Sequence, residues 1–210
     1  MEELLYHLSI IYLIMTNDVE NWITSGEGQA FLREAGLKEG HQVLDLGAGE
    51  GHYTIPAAQV VGSKGRVYAL DQDRVPLKRL MEEAQKHALK NIFPVQAQAE
   101  RLSSDWKANA FDVVLIYDMV HFLEADERAD LYRGVFELLK SGGLLSVYPK
   151  HNRQDLPMFK LAQLDLDDVA EEIEQQGFDT ESRLYRRLIH DEHYDQGYVL
   201  NFRKNKPGPS

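Results

Sequence analysis

Short apolar runs separated by amphipathic stretches dominate the middle of this chain. Four runs are rich in β-branched, aliphatic or aromatic residues: Gln42–Leu46, Arg66–Leu70, Phe111–Tyr117 and Leu144–Tyr148. A fifth run, Asn91–Ala97, contains Pro94, which weakens the strand prediction there. Short, mainly apolar runs are typical of strands that are buried on both faces of a parallel sheet.

Amphipathic helices are predicted between and after these strands. One follows an N-cap at Asp73 and carries apolar residues at helical spacing over Leu77–Ala88. A second carries them over Leu131–Leu139 and is expected to end at the Ser-Gly-Gly of residues 141–143. A third covers Val169–Gln176, and Gly177 stops it. Alternation of strands and helices predicts an α/β fold built from βαβ units.

The end of the chain follows a different pattern. Phe178–Ile189 and Gly197–Arg203 are two predicted strands that are joined only by the segment His190–Gln196. Parallel strands need a longer crossover, so these two strands are expected to form an antiparallel hairpin.

Composition places the chain among single-domain globular proteins. It has 210 residues, of which 43% are hydrophobic and 27% charged, and it has no cysteine. Disulfide scaffolds, thiolate metal sites and a cysteine nucleophile are therefore excluded. The absence of cysteine also fits a reducing compartment, and a cytoplasmic location is expected.

The charge balance argues against nucleic-acid and anionic-lipid partners. The net charge is −11, from 34 acidic residues against 23 Lys and Arg. One basic cluster (Arg183, Arg186 and Arg187) is expected to be a solvated strand edge.

The N-terminal region, residues 1–35, is predicted to be a helical cap or lid on a main domain over 36–204, with a flexible tail at 205–210. Its apolar stretch Leu4–Met15 is too short for a membrane span, which needs about 20 residues. We expect a helix there that packs on the domain or on a partner chain, so that two copies could form a homodimer. Trp22 and Phe31 either line the lid or belong to the core.

A glycine-rich loop contains the residues that are the strongest candidates for ligand binding. The stretch Val43–Thr54 (VLDLGAGEGHYT) leads from a predicted strand through Gly47, Gly49 and Gly51 into a helix. Asp71 ends the next strand, where a carboxylate can accept hydrogen bonds from ribose hydroxyls. The loop predicts a nucleoside-containing ligand at the carboxyl ends of the strands.

Two classes of ligand use such a loop. A dinucleotide site has the spacing G-x-G-x-x-G, whereas this chain has G-x-G-x-G, with His52 where the third dinucleotide glycine would stand. The loop also contains Asp45 and Glu50. Carboxylates repel a pyrophosphate but attract a sulfonium and an α-ammonium group, which favours S-adenosylmethionine over NAD.

With these motifs the chain resembles the class I S-adenosylmethionine-dependent methyltransferases, in the small-molecule type 11 or ubiquinone-biosynthesis-like group. The resemblance runs from about Gly36 to Arg203 through VLDLGAGEG, VYALDQD, AQAERL, FDVVLIYDMVHFL and LLKSGGLLSVYPK. It implies a Rossmann-like three-layer sandwich: a seven-stranded, mostly parallel sheet with an antiparallel C-terminal hairpin. The motifs indicate the fold and the cofactor but give almost no information about the substrate.

The resemblance implies a set of cofactor-binding residues at the ends of the first four strands: Asp45, Gly47, Ala48, Gly49, Glu50, Gly51, Asp71, Gln72, Gln98, Ala99 and Asp118. Asp45 and the glycine-loop backbone would hold the methionine part, and Asp71 the ribose. Gln98 stands where the family commonly has Asp against the adenine amino group. The alternatives are a purely structural glycine turn, a helix cap at Asp71 and plain loop residues at 98–99.

Methyl transfer from a sulfonium needs positioning, and it needs a base only when the nucleophile must lose a proton. The candidate catalytic residues follow the carboxyl ends of strands: His121, Lys150, His151, His190 and His193. For His121 a packed or surface histidine is the alternative. The segment HDEHYD (190–195) could ligate a divalent ion, but an exposed polar hairpin is the favoured interpretation, and no metal site is predicted.

The sequence therefore predicts a methyltransferase that uses S-adenosylmethionine and acts on a small, neutral or apolar-bodied acceptor. A non-catalytic S-adenosylmethionine-binding or regulatory partner is the alternative, because intact cofactor motifs do not ensure an acceptor pocket. A nicotinamide oxidoreductase is disfavoured by His52 and the acidic loop. The acceptor atom is left open.

Overall fold

A computed structural model describes residues 18–98 and 106–205. The strands are β1 (Gln42–Leu46), β2 (Arg66–Asp71), β3 (Ile92–Gln96), β4 (Phe111–Tyr117), β5 (Leu139–Tyr148), β6 (Phe178–His190) and β7 (His193–Lys204). The helices are α1 (Glu27–Ala35), α2 (Thr54–Val61), α3 (Arg74–Lys86), α4 (Ala125–Leu138) and α5 (Leu166–Glu174). Residues 18–24 are also helical, and two 3-10 turns cover Val120–Phe122 and Phe159–Leu161.

The seven strands form one sheet in the order β3-β2-β1-β4-β5-β7-β6. The first five strands pair in parallel, and β7 runs antiparallel to both β5 and β6. The predicted α/β fold with an antiparallel C-terminal hairpin is confirmed. Because β6 runs in the same direction as the first five strands, the hairpin tip lies at the edge where those strands end.

Two buried layers flank the sheet. Successive residues of β1 and of β4 point to opposite sides, so that Val43 and Val113 belong to one apolar cluster while Leu44 and Val114 belong to the other. The helical segment 18–24, α1, α2 and α3 cover the first side, and α4 and α5 cover the second. This arrangement is the predicted three-layer sandwich.

The predicted end of the second helix is wrong. Helix α4 ends at Leu138, and β5 starts directly at Leu139, whose partner in the sheet is Phe111. The carbonyls of residues 137 and 138 accept hydrogen bonds from the backbone N–H groups of Asn109 and Ala110. These contacts satisfy the helix end without the glycine cap that the Ser-Gly-Gly sequence suggested.

The C-terminal hairpin is longer and tighter than predicted. Strands β6 and β7 are joined by Asp191 and Glu192 alone, both with positive φ (47° and 70°). Positive φ at both central residues matches the twist of paired strands. The expected link over His190–Gln196 is therefore wrong, and His190 and His193 are paired strand residues.

Pro94 fits within β3 because β3 is an edge strand of the sheet. Trp22 and Phe31 are 1% and 4% exposed and belong to the core, and the indole Nε1 of Trp22 donates to the carbonyl of His52 at 2.9 Å.

The predicted helix Leu4–Met15, Ala99 and the tail from residue 206 lie outside the described residues. Among the residues that are described, no helix combines the length and the apolar character needed to cross a membrane.

Candidate active site

The glycine loop follows β1 and crosses the carboxyl end of the sheet. The backbone N–H groups of Gly47 and Ala48 both donate to the carbonyl of Leu70, at 2.9 and 3.0 Å. The Gly49 N–H donates to Asp71 Oδ2 at 2.9 Å, and Oδ1 of the same carboxylate accepts from the Asp73 N–H at 2.9 Å. Asp71 therefore ties the glycine loop to the start of α3.

Gly49 and Gly51 serve different purposes in this loop. Both have positive φ, 52° and 91°. A Cβ on Gly51 would lie 2.1 Å from Leu80 Cδ1, so the absence of a side chain lets α3 pack against the loop. A Cβ on Gly49 would meet no atom closer than 4.0 Å, so the backbone there is open to a ligand.

Asp45 lies beneath the loop and is 3% exposed. Thr54 Oγ1 donates to Asp45 Oδ2 at 2.5 Å. Burial raises the pKa of Asp45 to about 6, against the lowering effect of the Thr54 hydrogen bond and with a further increase from Asp71. A cationic ligand near this carboxylate would favour its ionised form.

The remaining residues of the predicted cofactor site are more exposed. Glu50 forms an ion pair with Arg79, so the acidic character of the loop comes mainly from Asp45 and Asp71. This pairing weakens the sequence argument that two free carboxylates flank the loop. Gln72 and Gln98 are exposed near the same edge.

Three histidines meet at this edge, at the carboxyl ends of β4, β5 and β6. The ring centroids of His121 and His151 lie 4.7 Å apart, and those of His151 and His190 lie 4.9 Å apart. Asp118 adjoins them: its Oδ2 accepts from His190 Nδ1 at 2.5 Å, and its Oδ1 lies 3.7 Å from His121 Nδ1. We call these four residues the histidine cluster.

The environments of the three imidazoles differ. Burial, with smaller contributions from His151 and His190, lowers the pKa of His121 to about 4. The hydrogen bond to Asp118 raises the pKa of His190 despite its burial. His151 Nδ1 donates to the carbonyl of Leu156 at 3.1 Å, which places the ring proton on Nδ1 and leaves the Nε2 lone pair free.

The other two candidate catalytic residues do not join the cluster. Lys150 is 1% exposed and donates to Asp155 and Asp195 at 2.6 and 2.5 Å. Burial alone would lower its pKa, but these two carboxylates raise it, so Lys150 keeps its proton. His193 Nδ1 lies 3.9 Å from Asp18 Oδ2, and the side chain is 44% exposed.

An apolar rim borders the cluster. It consists of four residues with side chains that are large, hydrophobic and exposed: Phe122, Leu156, Met158 and Phe159. The Phe159 ring stacks on His121 at 5.2 Å and lies 5.1 Å from the Phe122 ring. A contiguous exposed apolar patch is a candidate binding surface, whereas single exposed apolar residues are ordinary.

A model of the family described as "Methyltransferase domain" matches residues 37–194, which is most of the chain. The chain belongs to this methyltransferase family. The membership confirms the resemblance inferred from the sequence, and it places the chain in a class of enzymes.

Relatives and solved structures agree with this membership. The ubiquinone/menaquinone biosynthesis C-methyltransferase UbiE of Pasteurella multocida is 33% identical over 114 residues, which are 54% of this chain and 41% of that relative. The chain thus spans less than half the length of that relative. An S-adenosylmethionine-dependent methyltransferase from Aquifex aeolicus superposes with a TM-score of 0.69 at 22% identity, covering 84% of this chain and 89% of that one. The [4+2]-cyclase SpnF superposes with a TM-score of 0.68 at 17% identity, covering 85% and 81%.

Within this methyltransferase domain, the structure joins the predicted residues into two adjoining groups, the glycine loop with Asp71 and the histidine cluster. The apolar rim was not predicted. The stretch LPMF at residues 156–159 was its signal in the sequence, because it is too apolar for an ordinary exposed loop. His121, His151 and His190 were predicted at the carboxyl ends of strands, but their direct contacts were not, because those contacts depend on how strands far apart in sequence line up in the sheet.

Proposed function

We propose that this chain transfers a methyl group from S-adenosylmethionine to a small-molecule acceptor with an apolar body. The observation that carries the proposal is the open backbone at Gly49, held by Asp71, at the same sheet edge as the histidine cluster and its apolar rim. Family membership and the structural neighbour described as S-adenosylmethionine-dependent support the choice of cofactor.

On the cofactor side, we assign the ribose to Asp71 and the methionine part to Asp45 and the backbone of residues 47–49. Each Asp71 oxygen accepts one backbone N–H group and retains a lone pair for a ribose hydroxyl. Asp45 supplies negative charge near the α-ammonium and sulfonium groups. Gln72 and Gln98 are the proposed neighbours of the adenine, together with Ala99, which lies outside the described residues.

On the acceptor side, the apolar rim favours a molecule with a hydrophobic body and a polar atom that reaches the histidine cluster. The basic edge of the sheet is an unsuitable nucleic-acid surface, because Arg186 and Arg187 pair with Glu34 and Glu27. The relative named for ubiquinone and menaquinone biosynthesis makes phenols and quinols with alkyl side chains the first acceptors to test.

The proposed reaction is an in-line displacement. An electron pair of the acceptor forms a bond to the methyl carbon while the bond from that carbon to sulfur breaks, which releases S-adenosylhomocysteine. The leaving group is already activated, so the protein contributes orientation and exclusion of water. Where the acceptor must lose a proton, the histidine cluster is the proposed site of that step, whereas Lys150 is already protonated and held.

Calorimetric titration of the full chain with S-adenosylmethionine, S-adenosylhomocysteine and NADH tests the cofactor assignment. Saturable binding of the first two is expected, and Asp71→Ala should weaken it about 10-fold to 100-fold because hydrogen bonds to a charged group are lost. Asp73→Ala is the matched control, because the Asp73 side chain makes no cap hydrogen bond. Binding of NADH alone would contradict the assignment.

Transfer of a labelled methyl group to the phenol and quinol panel then tests catalysis. Turnover that depends on the cofactor supports the proposal. Tight cofactor binding with no turnover on apolar acceptors would instead favour the non-catalytic partner protein. The fold is not confined to methyl transfer, since one structural neighbour is described as a [4+2]-cyclase.

A further inference from the structure

Two buried polar atoms of the histidine cluster lack hydrogen-bond partners. Asp118 Oδ1 and His121 Nδ1 are both inaccessible to solvent, and neither has a partner within the described parts of the chain. The His121 side chain is 3% exposed. A buried polar group that is left unpaired destabilises the folded state. Two such atoms that face each other indicate a missing shared partner.

The spacing of these atoms fits a metal ion. The two atoms are 3.7 Å apart, which is beyond hydrogen-bond length. Two ligands that are each about 2.0–2.1 Å from one tetrahedral ion lie roughly 3.4 Å apart. His151 adds a third ligand, since one ligand atom from each of Asp118, His121 and His151 lies within 4.8 Å of the other two.

We propose that Asp118, His121 and His151 bind a divalent transition-metal ion at the carboxyl edge of the sheet. The hydrogen bond from His151 Nδ1 to the Leu156 carbonyl leaves Nε2 as a ligand with a fixed ring orientation. The hydrogen bond from His190 orients the Asp118 carboxylate. Such outer hydrogen bonds are the usual support of histidine and carboxylate ligands.

The donor set selects the class of metal. Two imidazoles and one carboxylate suit Zn²⁺, Fe²⁺ and related first-row ions, whereas Mg²⁺ and Ca²⁺ prefer oxygen ligands. Three protein ligands leave at least one position for another molecule. An acceptor oxygen or nitrogen could take that position beside the apolar rim. This role rests on the proposed function, but metal binding itself does not.

The site differs from the metal hypothesis that the sequence raised. That hypothesis grouped the residues of HDEHYD, whereas in the structure Asp195 pairs with Lys150, and His193 lies near Asp18. The prediction of no metal site rested on that segment alone. The contacts within the cluster depend on how β4, β5 and β6 end side by side at one edge of the sheet.

Titration of the metal-free full chain with Co²⁺, followed by visible absorption, tests the site without cofactor or acceptor. We expect one Co²⁺ per chain, with d–d bands that disappear when Zn²⁺ is added. His190→Ala should weaken binding about 10-fold to 100-fold, as is typical for loss of an outer-shell partner. Asp118→Asn and His151→Gln should weaken it more.

Matched variants keep the outcome decisive. Asparagine tolerates the positive φ of Asp118 (58°), so Asp118→Asn should fold, and circular dichroism checks this. His193→Ala, which removes a neighbouring histidine outside the cluster, should leave Co²⁺ affinity unchanged. No saturable Co²⁺ binding, equal binding by Asp118→Asn, or loss in His193→Ala would each overturn the proposal. Titrating the same samples with S-adenosylmethionine separates that failure from a failure of the proposed function.

Discussion

Replacing Asp45 with asparagine should stabilise the free protein at neutral and alkaline pH. The pKa of Asp45 is about 6 in the folded protein against an ordinary value of 3.8, chiefly because the carboxyl group is buried. The folded state therefore binds this proton more tightly than the unfolded state does. The stability that this proton contributes to the wild-type protein is complete below pH 3.8 and is lost as the pH rises through about 6.

The difference between about 6 and 3.8 corresponds to about 3 kcal/mol. An asparagine Oδ1 can still accept the hydrogen bond from Thr54 Oγ1 and carries no charge to desolvate. Asp45→Asn should thus match the wild type near pH 4 and exceed it by up to about 3 kcal/mol at pH 8. Cofactor affinity should fall in the same variant, because the charge that attracts the cationic ligand is gone.

Urea denaturation followed by circular dichroism between pH 4 and pH 8 measures the free energy of unfolding of both proteins. The chain carries a net charge of −11, so removing any carboxylate relieves some repulsion, and Asp73→Asn is the control for that general effect. A stability gain for Asp45→Asn that does not grow with pH, or that Asp73→Asn reproduces, would refute the argument that burial disfavours the charge of Asp45.

Three further predictions concern other parts of the site. Gly51→Ala should destabilise the fold by about 1–3 kcal/mol through its clash with Leu80, whereas Gly49→Ala should destabilise it by about 1 kcal/mol but weaken S-adenosylmethionine binding more than Gly51→Ala does. Thermal melts measure the loss of stability and calorimetry measures the loss of binding. A larger loss of binding in Gly51→Ala, with a larger loss of stability in Gly49→Ala, would contradict the assignment. Lys150→Met should lower the free energy of unfolding by about 2–3 kcal/mol, because two carboxylates lose a charged donor, and an unchanged urea midpoint would contradict this. Phe159→Asn removes the ring at a position with φ of 54°, so it should leave thermal stability nearly unchanged while raising KM for apolar acceptors, and an unchanged KM would remove the rim from acceptor binding.

Local sequence was sufficient for most of the strands. Gln42–Leu46 and Phe111–Tyr117 have the predicted bounds, because strands buried on both faces leave a continuous apolar run. It was insufficient at Leu139, where the apolar spacing of a helix continues into a strand. The sheet decided that boundary, since pairing with Phe111 offers Leu139 backbone hydrogen bonds that a further helical turn would forgo.

The two halves of the candidate site differ in the same way. The glycine loop and Asp71 lie within one βαβ unit, so their meeting follows from chain connectivity and was predictable. Asp118 and His190 are 72 positions apart, and their hydrogen bond depends on the order and register of β4, β5, β7 and β6. A two-residue turn, rather than the seven-residue link suggested by the polar sequence, places His190 at the end of its strand.

The sequence by itself determined the α/β class, the glycine loop and the methyltransferase resemblance, because each depends on residues that are close together along the chain and whose spacing is set by backbone geometry. Only the tertiary structure decided that the ligand atoms of Asp118, His121 and His151 lie close together and that Lys150 is held between two carboxylates. Burial and pairing depend on neighbours that are distant along the chain, so the chemistry of a titratable side chain is settled after the sheet has assembled.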